Sequence, residues 1–198
     1  MFLRGGAYLG PFQSTHSGTA SAMKTVRSYP GERAVLVDYE ETGTSGVLRT
    51  MSTGAYTIYR DLWVTNLNEE RNFVSQAAQR RLGVEFQSNN SKLLNSIIYN
   101  ASTGVGFWAE ADGSELHGLV IVNGGEHEAG NRGHGHGFYT QGNASDSKTI
   151  DGNLVVNQMG WGLQAYPNPD SVIGYSITRN IFGENGRWYA AGSRNNQI

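Results

Sequence analysis

The chain has no cysteine, so neither a disulfide nor a thiolate metal site holds it together, and the redox compartment is left open. Proline is scarce, with 4 among 198 residues. No stretch approaches the roughly 18 consecutive apolar residues of a transmembrane helix, so no membrane span is expected. An excess of either charge is missing too: 15 Lys and Arg stand against 17 Asp and Glu, for a formal net charge of −2. Without a basic run or face, nucleic acid is not expected as a partner bound by phosphate neutralisation. Helical periodicity is nearly absent. The one stretch with helical character is EERNFVSQAAQR, residues 69–80.

What the chain does have is 27 glycines and frequent Asn, Ser and Thr, the composition of many short strands joined by tight turns. The 38% of hydrophobic residues supplies one core, and residues 1–198 read as a single domain. The opening Met1-Phe-Leu-Arg-Gly-Gly-Ala-Tyr has neither the charged start nor the apolar run of a signal peptide. It reads as part of a strand and a turn. A solenoid needs a cap over its first coil, so a cap or signal is expected upstream, in a longer parent chain.

A repeat organises the rest. TIYRDLWVTN ends at Asn66, KLLNSIIYN at Asn100, ELHGLVIVN at Asn123, TIDGNLVVN at Asn157 and VIGYSITRN at Asn180. A period near 23 residues, with insertions, is that of stacked coils that bury apolar strips against one another. Asparagine tolerates the left-handed conformation at a bend, and its amide can bond to the same residue one coil away. After each bend comes a variable loop and a second strand opening with glycine: GVEFQ at 83–87, GFWAE at 106–110, GFYTQ at 137–141 and GLQAY at 162–166. Alternation turns Val84, Phe107, Phe138 and Leu163 inward, with Phe86, Ala109, Thr140 and Ala165 beside them.

On these residues the chain resembles the right-handed parallel β-helix proteins of the pectate-lyase-like superfamily. Residues 3–36, LRGGAYLGPFQSTHSGTASAMKTVRSYPGERAVL, are similar to the first coils of secreted bacterial polysaccharide lyases of the family 9 type, and RGHGHGFYTQ at 132–141 is similar to a segment of bacterial β-helix repeat proteins. The resemblance implies an all-β solenoid of about six coils, secreted or at the cell surface, that acts on or binds a polysaccharide or oligosaccharide. It does not carry over whole. The aspartate cluster for calcium and the lysine base of a family 9 lyase are not located, since Asp112, Asp146 and Asp151 are scattered and Lys92 and Lys148 lie on or near first strands. Calcium stays open as a cofactor, with no ligand cluster to hold it.

The outward positions of the second strands are Glu85, Trp108, Tyr139 and Gln164, and beside them Gln87, Glu110, Gln141 and Tyr166. Stacked about 4.8 Å apart, they predict a strip of rings, carboxylates and amides suited to a sugar chain, with Trp108, Tyr139, Gln141, Gln164 and Tyr166 as binding residues. The two longer links, 66–83 and 123–137, overhang the same edge of the strip. One ends in Arg80-Arg81, and the other carries Glu126, His127, Glu128, Arg132, His134 and His136.

For a lyase, a base removes the C5 proton of a uronate, an acid serves the leaving oxygen and positive charge steadies the enolate. His134 or His136 fits the base, Tyr139 the acid, and Arg132 or Arg81 the carboxylate partner. For a hydrolase the candidate pair is Glu85 and Glu110, with a backbone offset of roughly 8 Å from strand spacings, within the roughly 6.5–9.5 Å of inverting enzymes. A metal bound by His134, His136 and His127 or Glu126 is less expected than histidines hydrogen-bonded in a groove wall. His16 and His117 have no partner visible in sequence. The reading is a polysaccharide-active β-helix that cleaves its chain by β-elimination or hydrolysis. The alternative is a non-catalytic carbohydrate-binding module of a larger secreted enzyme.

Overall fold

A computed structural model of the protein describes residues 1–39, 45–73, 80–128, 135–142, 147–167 and 171–186, with the backbone alone at 72–73 and 127–128. The chain winds into a right-handed parallel β-helix with three walls, each a parallel sheet to which every coil adds one strand. The first sheet stacks Phe2–Leu3, Lys24–Ser28, Thr57–Arg60, Lys92–Leu94, Ser114–His117, Lys148–Asp151 and Tyr175–Thr178. The second stacks Gly6–Leu9, Ala34–Asp38, Leu62–Asn66, Ile97–Tyr99, Val120–Val122, Leu154–Val156 and Ile181–Gly183. The third stacks Phe12–Ser14, Gly46–Thr50, Leu82–Phe86, Val105–Phe107, Phe138–Gly142 and Leu163–Pro167.

Three walls replace the two strands per coil that the repeat predicts. Each segment expected as one strand turns at a single left-handed residue: Asp61, Asn95, Gly118, Gly152 and Arg179 have φ of 58, 47, 63, 65 and 55°. One such residue redirects the chain from the first sheet to the second, and Asn, Asp and Gly adopt the conformation at least cost. The split moves Asn180 out of the asparagine column. It follows Arg179 at this first bend, where its Oδ1 accepts from the backbone N and the Nδ2 of Asn153, at 3.0 and 2.8 Å. The second bend keeps Asn66, Asn100, Asn123 and Asn157 in one column, which ends at Glu184. Asn157 Nδ2 donates to Asn123 Oδ1 at 2.7 Å, and Asn100 Nδ2 to the Asn66 carbonyl at 2.6 Å.

Glycine spacing also misleads at one coil. The glycine that aligns with Gly83, Gly137 and Gly162 is Gly104, two residues before the expected Gly106. A Cβ at Gly83, Gly104 or Gly137 would come within 2.3, 2.4 or 2.2 Å of Ile98, Ile121 or Val155, the core residue of the second sheet one coil on. Because the slip is two residues, the side chains of that strand stay on their expected face but move one rung along. The inward columns are thus Val84, Val105, Phe138, Leu163 and Phe86, Phe107, Thr140, Ala165. Inside, Tyr59, Phe86 and Phe107 meet edge to face at centroid distances of 6.1 and 5.8 Å, contacts worth about 0.5–1.5 kcal/mol each beyond their buried area.

The two long links do share a corner, between the second and third sheets. Asn72–Phe73 pairs in parallel with His127–Glu128, so the stretch expected to be helical contains a strand, while its residues 74–79 lie outside the described residues. Two arginines fill the corner. Arg80, fully buried, donates to the carbonyls of Gly125 and Asn66 at 3.4 and 3.2 Å and to that of Asn100. Arg71 donates to the carbonyls of Gly125 and Asn123, at 2.9 and 3.0 Å, and to Asn100 Oδ1. Carbonyls freed by the bends are satisfied in this way. Burial pushes the Arg80 guanidinium down to about 10, helped by the charge of Arg71 and opposed by Glu126, so it stays charged at neutral pH.

Candidate functional site

The outer face of the third sheet changes character along the solenoid. In its early coils Arg49 lies beside Glu85, Nε to Oε2 3.3 Å, and Gln87 Nε2 donates to Glu85 Oε1 at 3.0 Å. In its later coils the face is aromatic. Tyr139 is the hub, edge-on to Trp108 at 5.6 Å and near parallel to His136 at 6.0 Å and Tyr166 at 6.4 Å. His136 also stacks on Trp161, 5.2 Å away and tilted by 11°. Trp161, His136, Tyr139 and Tyr166 therefore form one row of near-parallel rings, with Gln141 and Gln164 interleaved in the sheet.

Two local features place Trp108 against this row. It belongs to the column of Gln87, Gln141 and Tyr166, one rung from the expected position. Its indole lies over Gly106, where a Cβ would come within 3.1 Å of Cε2 and Cζ2 and 2.8 Å of Leu82 Cδ2, so glycine in the neighbouring column leaves the ring room. Behind the face, Lys148 reaches through from the first sheet. Its ammonium donates to the carbonyls of Trp108 and Gln141 at 2.6 and 2.5 Å and sits 4.9 Å from the Phe107 ring centroid. Being buried, it is a brace and not a base at the surface.

His136 is fixed chemically as well as sterically. Its Nδ1 accepts from the backbone N–H of Trp161 at 3.0 Å, which leaves the proton of the neutral ring on Nε2. Held so, the imidazole is a hydrogen-bond donor at Nε2. This suits it to hydrogen-bond an oxygen better than to accept a proton.

No family model matches this chain, and no curated protein matches it. Among solved structures it is similar to a candidate glycosyl hydrolase from Parabacteroides merdae, with 12% identity and a TM-score of 0.57 over 91% of this chain and 81% of that one. It is also similar to the pectate lyase Pel9A, with 17% identity and a TM-score of 0.54 over 99% of this chain and 64% of that one. The chain has the pectate-lyase-like β-helix fold. At these identities the likeness is one of architecture.

On this β-helix the remaining candidates are placed as follows. Glu85 is outward in register but buried, committed to Arg49, Gln87 and the backbone N–H of Gly46. Glu110 falls beyond the strand, in an exposed turn. Glu85 pairs with Gly106, so the offset between the two carboxylates grows from the expected two residues to four, and the geometric basis for a hydrolase pair is lost. Arg81, expected to reach a sugar, turns inward instead: its Nε lies 2.6 Å from Asp38 Oδ2, and both side chains are buried. Arg132 and His134 lie outside the described residues.

One cluster escapes sequence reasoning. On the outer face of the first sheet, His117 lies between Glu115 and Asp151, Nε2 to Oε2 2.8 Å and Nδ1 to Oδ2 3.2 Å. Lys92 donates to Glu115 at 2.9 Å, and Arg179 with Thr178 donates to Asp151. Hydrogen bonds from Arg179 and Thr178 hold the Asp151 carboxyl well below the ordinary range. Burial works to raise Glu115, but Lys92 and His117 bring it below its usual value. The signal for this ladder is its period, since residues 92, 115, 117, 151 and 179 become neighbours only once the coils are aligned. Among the described residues no group of three or more His, Asp or Glu is set to hold a metal ion.

Proposed function

We propose that the protein binds a polysaccharide chain along the outer face of the third sheet. The observation that carries this is the row Trp161, His136, Tyr139 and Tyr166 with Trp108 against it. Rings stacked on one another turn edges outward more than faces. They offer the tyrosine hydroxyls and His136 Nε2, with the amides of Gln141 and Gln164, to a ligand dense in hydroxyl groups. Tyr166, at the end of the row and 51% exposed, keeps a face for a sugar ring. On this reading we also propose that it is secreted or held at the cell surface, where such chains are met.

Cleavage is the second reading, favoured by His136, a neutral imidazole with a proton on Nε2 at one edge of the row. In β-elimination its Nε2–H would hydrogen-bond the leaving oxygen while Tyr139 is proposed as the acid that protonates it, and Arg132 and His134 remain proposals for the uronate carboxylate and the base. The test is incubation with pectin, alginate, xylan and glucan, with and without calcium, following gel retardation, unsaturated-uronate absorbance and reducing ends together. Trp108→Ala or Tyr166→Ala is expected to weaken retardation about 3- to 10-fold, the worth of one aromatic contact. Retardation that ignores both substitutions defeats the binding reading. Turnover lost in His136→Ala with affinity kept supports an enzyme, and absence of turnover across the panel reduces the protein to a binding module.

A further inference from the structure

The outer face of the second sheet differs from the other two. Register places Val35, Trp63, Ile97, Val120, Leu154 and Ile181 in one outward column, with Tyr99, Val122 and Val156 beside it. These side chains are partly exposed, Ile181 by 65%, and none carries a charge. The corresponding positions of the first sheet carry Lys92, Glu115, His117 and Asp151, and those of the third carry Arg49 and Glu85. Strands with apolar residues on both faces belong to parallel sheets that are covered on both sides. The inner face of this one is covered by the core, through Leu62, Val64, Ile98, Ile121 and Val155. Its outer face is built the same way.

We propose that this face packs against the same face of a second copy of the chain. Size is the first argument. Six coils at about 4.8 Å and some five residues between the bends at about 3.3 Å give a face of roughly 29 by 17 Å, about 500 Å² in plan. Because all of these side chains but Ile181 are partly buried, the accessible area stays of the order of the plan, and two copies would bury roughly 1,000 Å² in total, the lower end for a specific interface. Charge is the second. A face that meets its own copy suffers from any charge it carries; the outward side chains named carry none, and the Arg33 guanidinium lies over the Trp63 ring, 3.8 Å from its centroid, toward the early end of the column. Shape is the third. Two sheets with the same coil repeat can interdigitate about 10 Å apart, as in sandwich cores. The contact is isologous and closes at a dimer. It leaves the aromatic face of the third sheet open.

The experiment is sedimentation of the full chain across a range of about 1 to 100 μM, in the range where interfaces of this class associate. Dimerisation is expected in the wild type, with at least a tenfold weakening in Val120→Lys, whose outward position lets the variant keep its circular dichroism. A second readout does not depend on that variant. The chain has no cysteine, so Val120→Cys introduces a single thiol. Facing sheets about 10 Å apart lie beyond disulfide reach, but a short bis-maleimide spans the gap. Covalent dimer is expected from Val120→Cys and not from Glu110→Cys on another face. A wild type that stays monomeric at the highest concentration overturns the proposal, whatever else covers the face. So does a dimer that survives Val120→Lys or cross-links equally through Glu110→Cys.

Discussion

Lys148→Met tests whether the aromatic face is braced from inside the solenoid. The substitution keeps an unbranched side chain of similar length and removes the ammonium. The carbonyls of Trp108 and Gln141 then lose the bonds they accept from it at 2.6 and 2.5 Å, although that of Trp108 keeps the Ala111 N–H at 3.0 Å. Hydrogen bonds to charged groups contribute about 1.5–3 kcal/mol each, and a buried carbonyl left bare costs about 1–3 kcal/mol. Methionine recovers part of this, about 0.8 kcal/mol for each methylene-sized group it buries. The loss therefore wins, by about 2–4 kcal/mol. With a urea slope of about 1–3 kcal/mol/M for a small domain, the unfolding midpoint is expected to fall by about 1–2 M. Because both carbonyls belong to the column of Gln87, Trp108, Gln141 and Tyr166, sugar affinity is expected to fall in the folded variant too. A stability change below about 0.5 kcal/mol refutes the reasoning, since it would mean that the buried ammonium's desolvation cancels its bonds.

Gly137→Ala is expected to cost about 1–3 kcal/mol by overpacking, because the new Cβ meets Val155 at 2.2 Å and the Gly162 carbonyl at 2.5 Å; calorimetry checks it, and an unchanged Tm contradicts it. Gly152 has φ of 65° but open space around it, so Gly152→Ala is expected to cost about 1 kcal/mol from backbone conformation alone, and Gly152→Asn less. Stability is expected to fall in acid through Asp151 and Glu115. Their carboxyls are held below their usual values in the fold, so their contribution is complete above the unfolded pKa, near 4, and is lost as pH falls through the folded values. Asp151→Asn should flatten that decline in urea midpoints between about pH 5 and pH 2, and parallel curves for variant and wild type would rule the ladder out as its source.

The solenoid is legible because repetition multiplies weak signals: one Asn before a loop says little, but Asn66, Asn100, Asn123 and Asn157 at matching positions imply stacked coils. What stays hidden is wherever two residues satisfy the same rule. Gly104 and Gly106 both fit a strand opening, and only the approach of Ile121 one coil away singles out Gly104. Asn180 fits the second bend by spacing but serves the first, since Asn and Gly answer the left-handed conformation equally at both. The rings of the candidate site were readable as outward, for parity survives a two-residue slip. Their mutual stacking was not, because it depends on Trp161 and His136 arriving from the coil corners and not from the strands. Glu85 and Arg81 mislead for a related reason: a charged residue at a sheet margin looks free in sequence until its partner, Arg49 or Asp38, is known from another coil.

A parallel β-helix separates its tasks by wall, because each wall repeats one chemistry while the interior repeats another. Here the first sheet carries an ion ladder, the second an apolar face and the third rings and amides. Their inward residues are alike, so the core does not explain the differences between the outer faces. If each face acts by itself, substitutions on different walls, separated by the core, share no partners and should add. Val120→Lys with Trp108→Ala is then expected to lose sugar affinity as Trp108→Ala alone does and dimerisation as Val120→Lys alone does, within about 0.5 kcal/mol in each measurement. A larger interaction energy would mean that the two walls communicate through the coils. The assignment of one role to each face would then fail.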